Sequence, residues 1–232
     1  MKKLLVTLIS IFMLFALVGC SNSKNEKEEK QEEMVGGYKV YDGEYNAELP
    51  EKAKEVFENT IKNLTGTTYD PIALLATQVV SGTNYAFFVR EKPVTNFAVI
   101  TVYADLKGNT QILKTYDIDL NLESDENSKD TSNLLGGWKA YDGENKCDIP
   151  DEAVEAVAKA TEGLDGAGYT PIALLGTQVV SGINYAILCK ETVVAAEPIT
   201  TYSIVVVYKN TSGECKLTDV FNVKEYTVER EK

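Results

Sequence analysis

Leu49, Ala53, Val56, Phe57, Thr60, Ile61 and Leu64 fall at three- and four-residue steps, a spacing that lines them along one face of a helix. Pro50 stands in the first turn, where its missing N–H costs nothing, and Gly66 supplies the stop. Four strand-like segments follow at 69–80, 84–91, 97–103 and 110–120, rich in Val, Ile, Tyr, Phe and Thr. Ser81-Gly82 and Lys107-Gly108-Asn109 are short connections of the kind that close hairpins. A short extended run at 38–41 precedes the helix. The pattern predicts β-α-β-β-β-β, an α+β unit in which one helix packs across an antiparallel sheet of four to five strands and buries both apolar faces.

The unit occurs twice. Shifting the chain by 100 positions superposes 36–92 on 136–192 without a gap, and between 69–86 and 169–186 there are 15 identities in 18 positions. Beyond Glu91 and Glu191 the second copy carries five extra residues, after which Tyr103 aligns with Tyr208 and Gly108 with Gly213. Ile149, Ala153, Val157, Ala160 and Leu164 repeat the helical stripe, with Gly163 and Gly166 as breakers. A long period seen only twice does not make a solenoid. The expected organisation is two small domains on a string, 36–120 and 136–228, joined by a polar linker over 121–135. A domain of this size buries roughly 60–65% of its unfolded surface, enough to fold. Tyr38 and Trp138, opening the first strand of each copy, are expected to pack beside the helix.

The N-terminal segment is read apart from the fold. Lys2 and Lys3 precede an almost wholly apolar run over 4–17, and Leu17-Val18-Gly19-Cys20 reads as a lipobox. Residues 1–19 are thus expected to be a lipoprotein signal peptide and Cys20 the lipidated residue, on the extracellular face of a bacterial membrane. A two- or three-chain anchor holds durably, at about 0.8 kcal/mol per buried CH₂. Residues 20–35 are the lipidated Cys and a charged tether that buries too little apolar surface to fold. The stretch from 21 to 35 reaches at most about 50 Å.

Without Lys2 and Lys3 the chain has 21 basic against 35 acidic residues, a net charge of −14. That balance argues against nucleic acid as partner. No histidine occurs, so Ser-His-Asp and Cys-His catalysis lack a base and His-bearing zinc sites lack ligands. No enzymatic activity, cofactor or metal is expected. Cys147, Cys189 and Cys215 all lie in the second copy, an odd number where the first copy has Ala47, Val89 and Thr110. Cys is expected to act there as a small buried side chain.

Three features carry a resemblance to the cystatin family, especially its plant members, across essentially each whole copy. Gly36-Gly37-Tyr38-Lys39 and Gly136-Gly137-Trp138-Lys139 resemble the glycine pair that opens the first strand. Met34-Val35 and Leu134-Leu135 supply the apolar pair before those glycines. Gln78-Val79-Val80-Ser81-Gly82 and Gln178-Val179-Val180-Ser181-Gly182 match the family's Q-x-V-x-G hairpin, and Asn84-Tyr85 and Asn184-Tyr185 follow as in the family.

The resemblance implies reversible blockade of papain-like cysteine proteases by a wedge. Met34-Val35 or Leu134-Leu135 would fill specificity pockets, and Gly36 or Gly136, first of each glycine pair, would let the backbone turn away before a peptide bond reaches the nucleophile. Gln78 through Gly82, and Gln178 through Gly182, would cap the other side of the cleft, the glycines permitting the tight turn. The family's second hairpin carries a Pro-Trp pair. Here the matching turns at 105–109 and 210–214 hold no Trp, which favours the alternative of a non-inhibitory binding or adhesion module.

Overall fold

Each helix starts at a proline that precedes it. The computed structural model describes residues 37–43, 49–62, 64–92, 96–118, 120, 137–141, 149–196 and 199–223. Pro50 and Pro150 are N-caps, not first-turn residues, and Lys54 and Val154 donate their N–H groups to the two proline carbonyls. Helix α1 (Glu51–Ile61) and helix α2 (Asp151–Thr161) open with Glu51 and with Asp151 and Glu152, carboxylates that suit the positive end of the helix dipole.

The described residues form an α+β structure of two helices and two antiparallel five-stranded sheets. In the first, β1 (Tyr38–Val40), β2 (Thr68–Val79), β3 (Gly82–Lys92), β4 (Phe97–Asp105) and β5 (Thr110–Ile118) lie side by side in chain order. In the second, β6 (Trp138–Ala140), β7 (Ala167–Val179), β8 (Gly182–Val193), β9 (Ile199–Asn210) and β10 (Cys215–Asn222) repeat the arrangement. Each helix falls between the first two strands of its sheet.

One face of each sheet carries its helix. Ala53, Val56 and Phe57 pack on Leu74, Phe87, Val89, Ile100 and Val102, with the Phe57 ring edge-on to Phe87 at 5.1 Å. Ala153, Ala156 and Val157 pack on Leu174, Tyr185, Ile187, Cys189 and Val205. Cys189 is fully buried in the place of Val89 and acts as the small core side chain expected of it. Leu64 and Leu164 leave the apolar stripe and are half exposed, because the helices stop at Ile61 and Thr161. Gly66, Gly163 and Gly166 follow with positive φ.

The opposite faces do not meet water. Ala73, Leu75, Ala86, Phe88, Phe97 and Val99 of the first half form a single buried cluster with Ala173, Leu175, Ala186, Leu188, Tyr202 and Ile204 of the second. The halves therefore share a sheet-on-sheet core, and residues 33–232 form one compact unit. Among the described residues each half has a helix-side core, and a third core is common to both. The linker read at 121–135 lies outside the described residues. Tyr38 and Trp138 pack against the shared cluster, on the face away from the helix. Their expected place beside the helix is corrected by the register of β1 and β6, whose first residues point with Gln78 and Gln178.

The sequence carried a sign of this. Strands with one solvated face alternate, but Ile72 through Ala76, Ala86 through Arg90 and Phe97 through Val102 are buried without interruption, the pattern of strands covered on both faces. Edge strand β5 alternates instead.

Candidate protein-docking edge

At one end of each sheet the register aligns three chain segments. Tyr38 pairs with Gln78, Gln78 with Asn84, Asn84 with Tyr103, and Tyr103 with Gln111. Trp138, Gln178, Asn184, Tyr208 and Lys216 form the equivalent row in the second half. Cross-strand neighbours share one face, so each row is a polar and aromatic rung spanning five strands. Beyond the first rung lie Gly37, the β2–β3 tip and the β4–β5 turn. Beyond the second lie Gly137, the β7–β8 tip and the β9–β10 turn.

The two Q-V-V-S-G segments form these β2–β3 and β7–β8 tips. Val80 N–H donates to the Gly82 carbonyl at 3.0 Å, and Val180 to Gly182 at the same distance. Val79 and Val80 are 40% and 42% exposed, and Val179 and Val180 are 52% and 38% exposed. Each tip thus leaves part of two adjacent valine side chains open to water. Ser81 and Ser181 are exposed beside them.

Gln78 and Gln178 have a different position. Asn84 donates its side-chain amide to Gln78 Oε1 at 2.6 Å, and Asn184 to Gln178 likewise. The glutamines thus tie the two strands together at the base of each tip, facing along the rung. Gly82 and Gly182, the glycines expected to permit the tight turn, do not have positive φ. A Cβ on Gly82 would stand 2.2 Å from the Ala104 carbonyl oxygen, and one on Gly182 2.2 Å from that of Lys209. Close approach of the neighbouring strand, not backbone handedness, excludes a side chain here.

The β4–β5 turn is built on Asp105. Its carboxylate accepts from Lys107 N–H at 2.8 Å, Asn109 N–H at 2.9 Å and the Asn109 side-chain amide at 2.7 Å. The Asn109 side chain first, then the backbone donors, hold the Asp105 carboxyl below its usual range. The second half builds the same turn with the groups exchanged. Asn210 Oδ1 accepts from Ser212 and Glu214 N–H, both at 2.9 Å, and Asn210 Nδ2 donates to Glu214 Oε2 at 2.7 Å. Gly108 and Gly213 close these turns at φ +87° and +86°.

Leu106, 89% exposed, projects from the first of these turns; Thr211 takes its place in the second. Sequence reasoning sought a Trp there and passed over Leu106, although an apolar residue between Asp105 and Lys107 is out of keeping with a solvated turn. It also passed over Tyr103 and Tyr208, whose place in the rungs depends on cross-strand register. Val35, Gly36, Leu135, Gly136 and Cys20 lie outside the described residues. Gly37 and Gly137 adjoin the rungs at the predicted edges.

Among the described residues there is no group of three or more His, Cys, Asp or Glu placed to hold a metal. What each edge offers is contact: paired valines on a braced hairpin, a braced turn beside it, and the entry of the first strand. No protein-family model matches the chain, and no curated protein matches it.

Proposed function

We propose that the chain is a reversible inhibitor of papain-like cysteine proteases, with cystatin-like architecture in each half. The observation that carries this reading is the pair of half-exposed valines at each hairpin tip, aligned by register with the start of the first strand and with the second turn. Such an edge fits a cleft as a wedge. Val79 and Val80, or Val179 and Val180, bring apolar surface, and the braced hairpin has little conformational entropy left to lose on docking. Val35, Gly36 and Gly37, or Leu135, Gly136 and Gly137, enter the cleft as a trunk. No chemistry is required of the inhibitor, in keeping with a chain that has no histidine. Lipidation at Cys20 tethers it to the outer face of a bacterial membrane.

A second reading, a non-inhibitory binding or adhesion module, is favoured by turns without an aromatic anchor, since few residues carry an interface. Leu106 partly answers it in the first half alone.

A soluble fragment starting near Asn25, titrated against papain and several relatives, separates the two. Inhibition lost on V79D/V80D/V179D/V180D, with far-UV circular dichroism unchanged, supports the wedge. No inhibition at tens of micromolar sinks it.

A further inference from the structure

The glycine of each tip is roofed by a tyrosine from the next strand. A Cβ built on Gly82 would meet Tyr103 Cε2 at 2.8 Å and its hydroxyl at 3.0 Å, and one on Gly182 would meet Tyr208 Cε2 at 2.9 Å. The rings thus lie directly on the glycine backbone, in space that any side chain would occupy. In the second half the Tyr208 hydroxyl also reaches Ser181, 3.2 Å from its Oγ and 3.5 Å from its carbonyl oxygen. Tyr103 and Tyr208 stand next to Asn84 and Asn184 in the rungs, so each tip is held at its base by the Gln–Asn bond and on its flank by the ring.

We infer that Tyr103 and Tyr208 are positioning residues that fix the two Val-Val tips in their docking conformation before any partner arrives. A free four- or five-residue tip samples many conformers, each lost on binding; contact with a ring on an adjacent strand removes them in advance. The contact also gives the glycine a purpose beyond the turn: a side chain at 82 or 182 would take the space that the tyrosine ring edge occupies. The hydroxyl adds a second hold in the second half, through Ser181. That these tips dock on a protease rests on the proposed inhibitory function, whereas their bracing does not.

Amide hydrogen exchange of the soluble fragment tests the bracing without a protease. Tyr208→Ala is expected to speed exchange of the Val180 amide about tenfold, and Tyr103→Ala that of Val80, while the core amides of Ile187 and Ile100 keep their protection. Tyr208→Phe, which keeps the ring, should fall between wild type and Tyr208→Ala. Unchanged Val180 exchange in a folded Tyr208→Ala chain overturns the inference. If Tyr208→Ala loses protection at Ile187 as well, the decision passes to Tyr208→Phe and Ser181→Ala. Each should speed Val180 exchange, and the double variant should go no further than the larger single effect; no change in either overturns the inference. Papain inhibition by Tyr208→Ala in a V79D/V80D background should weaken in step with Val180 exchange. A parent chain that does not inhibit papain at all refutes the protease reading and leaves the exchange result standing.

Discussion

The Tyr202 hydroxyl donates a hydrogen bond to the backbone carbonyl of Tyr41, in the other half of the chain. The reciprocal carbonyl, that of Tyr141, is met by the Arg90 guanidinium. The exchange has a simple cause. Phe97 occupies the first-half place that Tyr202 holds in the second and has no hydroxyl to offer. Arg90, over the Phe97 ring at 5.8 Å, supplies the missing donor, and Lys190 takes its place in the second half. A duplicated unit has thus become two complementary halves.

Removing one of these donors takes a hydrogen bond from a backbone carbonyl at the junction. Tyr202→Phe is expected to cost about 1 kcal/mol and Arg90→Met about 1–3 kcal/mol. Urea denaturation reads both as a lower midpoint at unchanged slope.

Shared burial should couple the unfolding of the halves. Trp138 is the sole tryptophan and packs on the common cluster from the second half. Phe88, fully buried there, belongs to the first and stacks on Phe97 at 5.7 Å. Phe88→Ala should remove about 3–5 kcal/mol and shift the Trp138 fluorescence transition with it. A Trp138 transition that ignores this substitution would show halves that unfold separately.

Two hairpin glycines should differ in their tolerance of asparagine. Gly108 has positive φ and open space around its Cβ position, and asparagine tolerates that conformation, so Gly108→Asn should cost less than about 1 kcal/mol. Gly82→Asn drives a Cβ into the Ala104 carbonyl and should cost about 1–3 kcal/mol through forced backbone shifts. Thermal melts of the two variants give the comparison directly.

Acid should loosen the first of the two turns through Asp105. The folded-state pKa of Asp105 is lowered, chiefly by the Asn109 side chain. Its contribution is therefore present above the ordinary carboxyl value of 3.8 and is lost as pH falls through the lower folded value. The Lys107 and Asn109 amide shifts should titrate with a midpoint below 3.8. Asp105→Asn should abolish that titration and make the first turn resemble the second, whose anchor Asn210 carries no proton to gain.

The chain by itself determined the duplication, the helices over the Ala53–Phe57 and Ala153–Val157 stripes, the strands, and the hairpin that places Val79-Val80 and Val179-Val180 at a tip. These are local: periods of 3.6 and 2, proline and glycine punctuation, and an undivided repeat. Tertiary structure decided what covers each apolar face, because a period states that a face is buried and not what buries it. It turned Tyr38 and Trp138 toward the common core and set Asn84 against Gln78. It also brought Tyr103 over Gly82, a contact made by strands paired through register rather than adjacency. The requirement for glycine at 82 and 182 was visible in the motif, but its cause was not: the carbonyls of Ala104 and Lys209 approach from more than twenty residues away, and only folding brings them there.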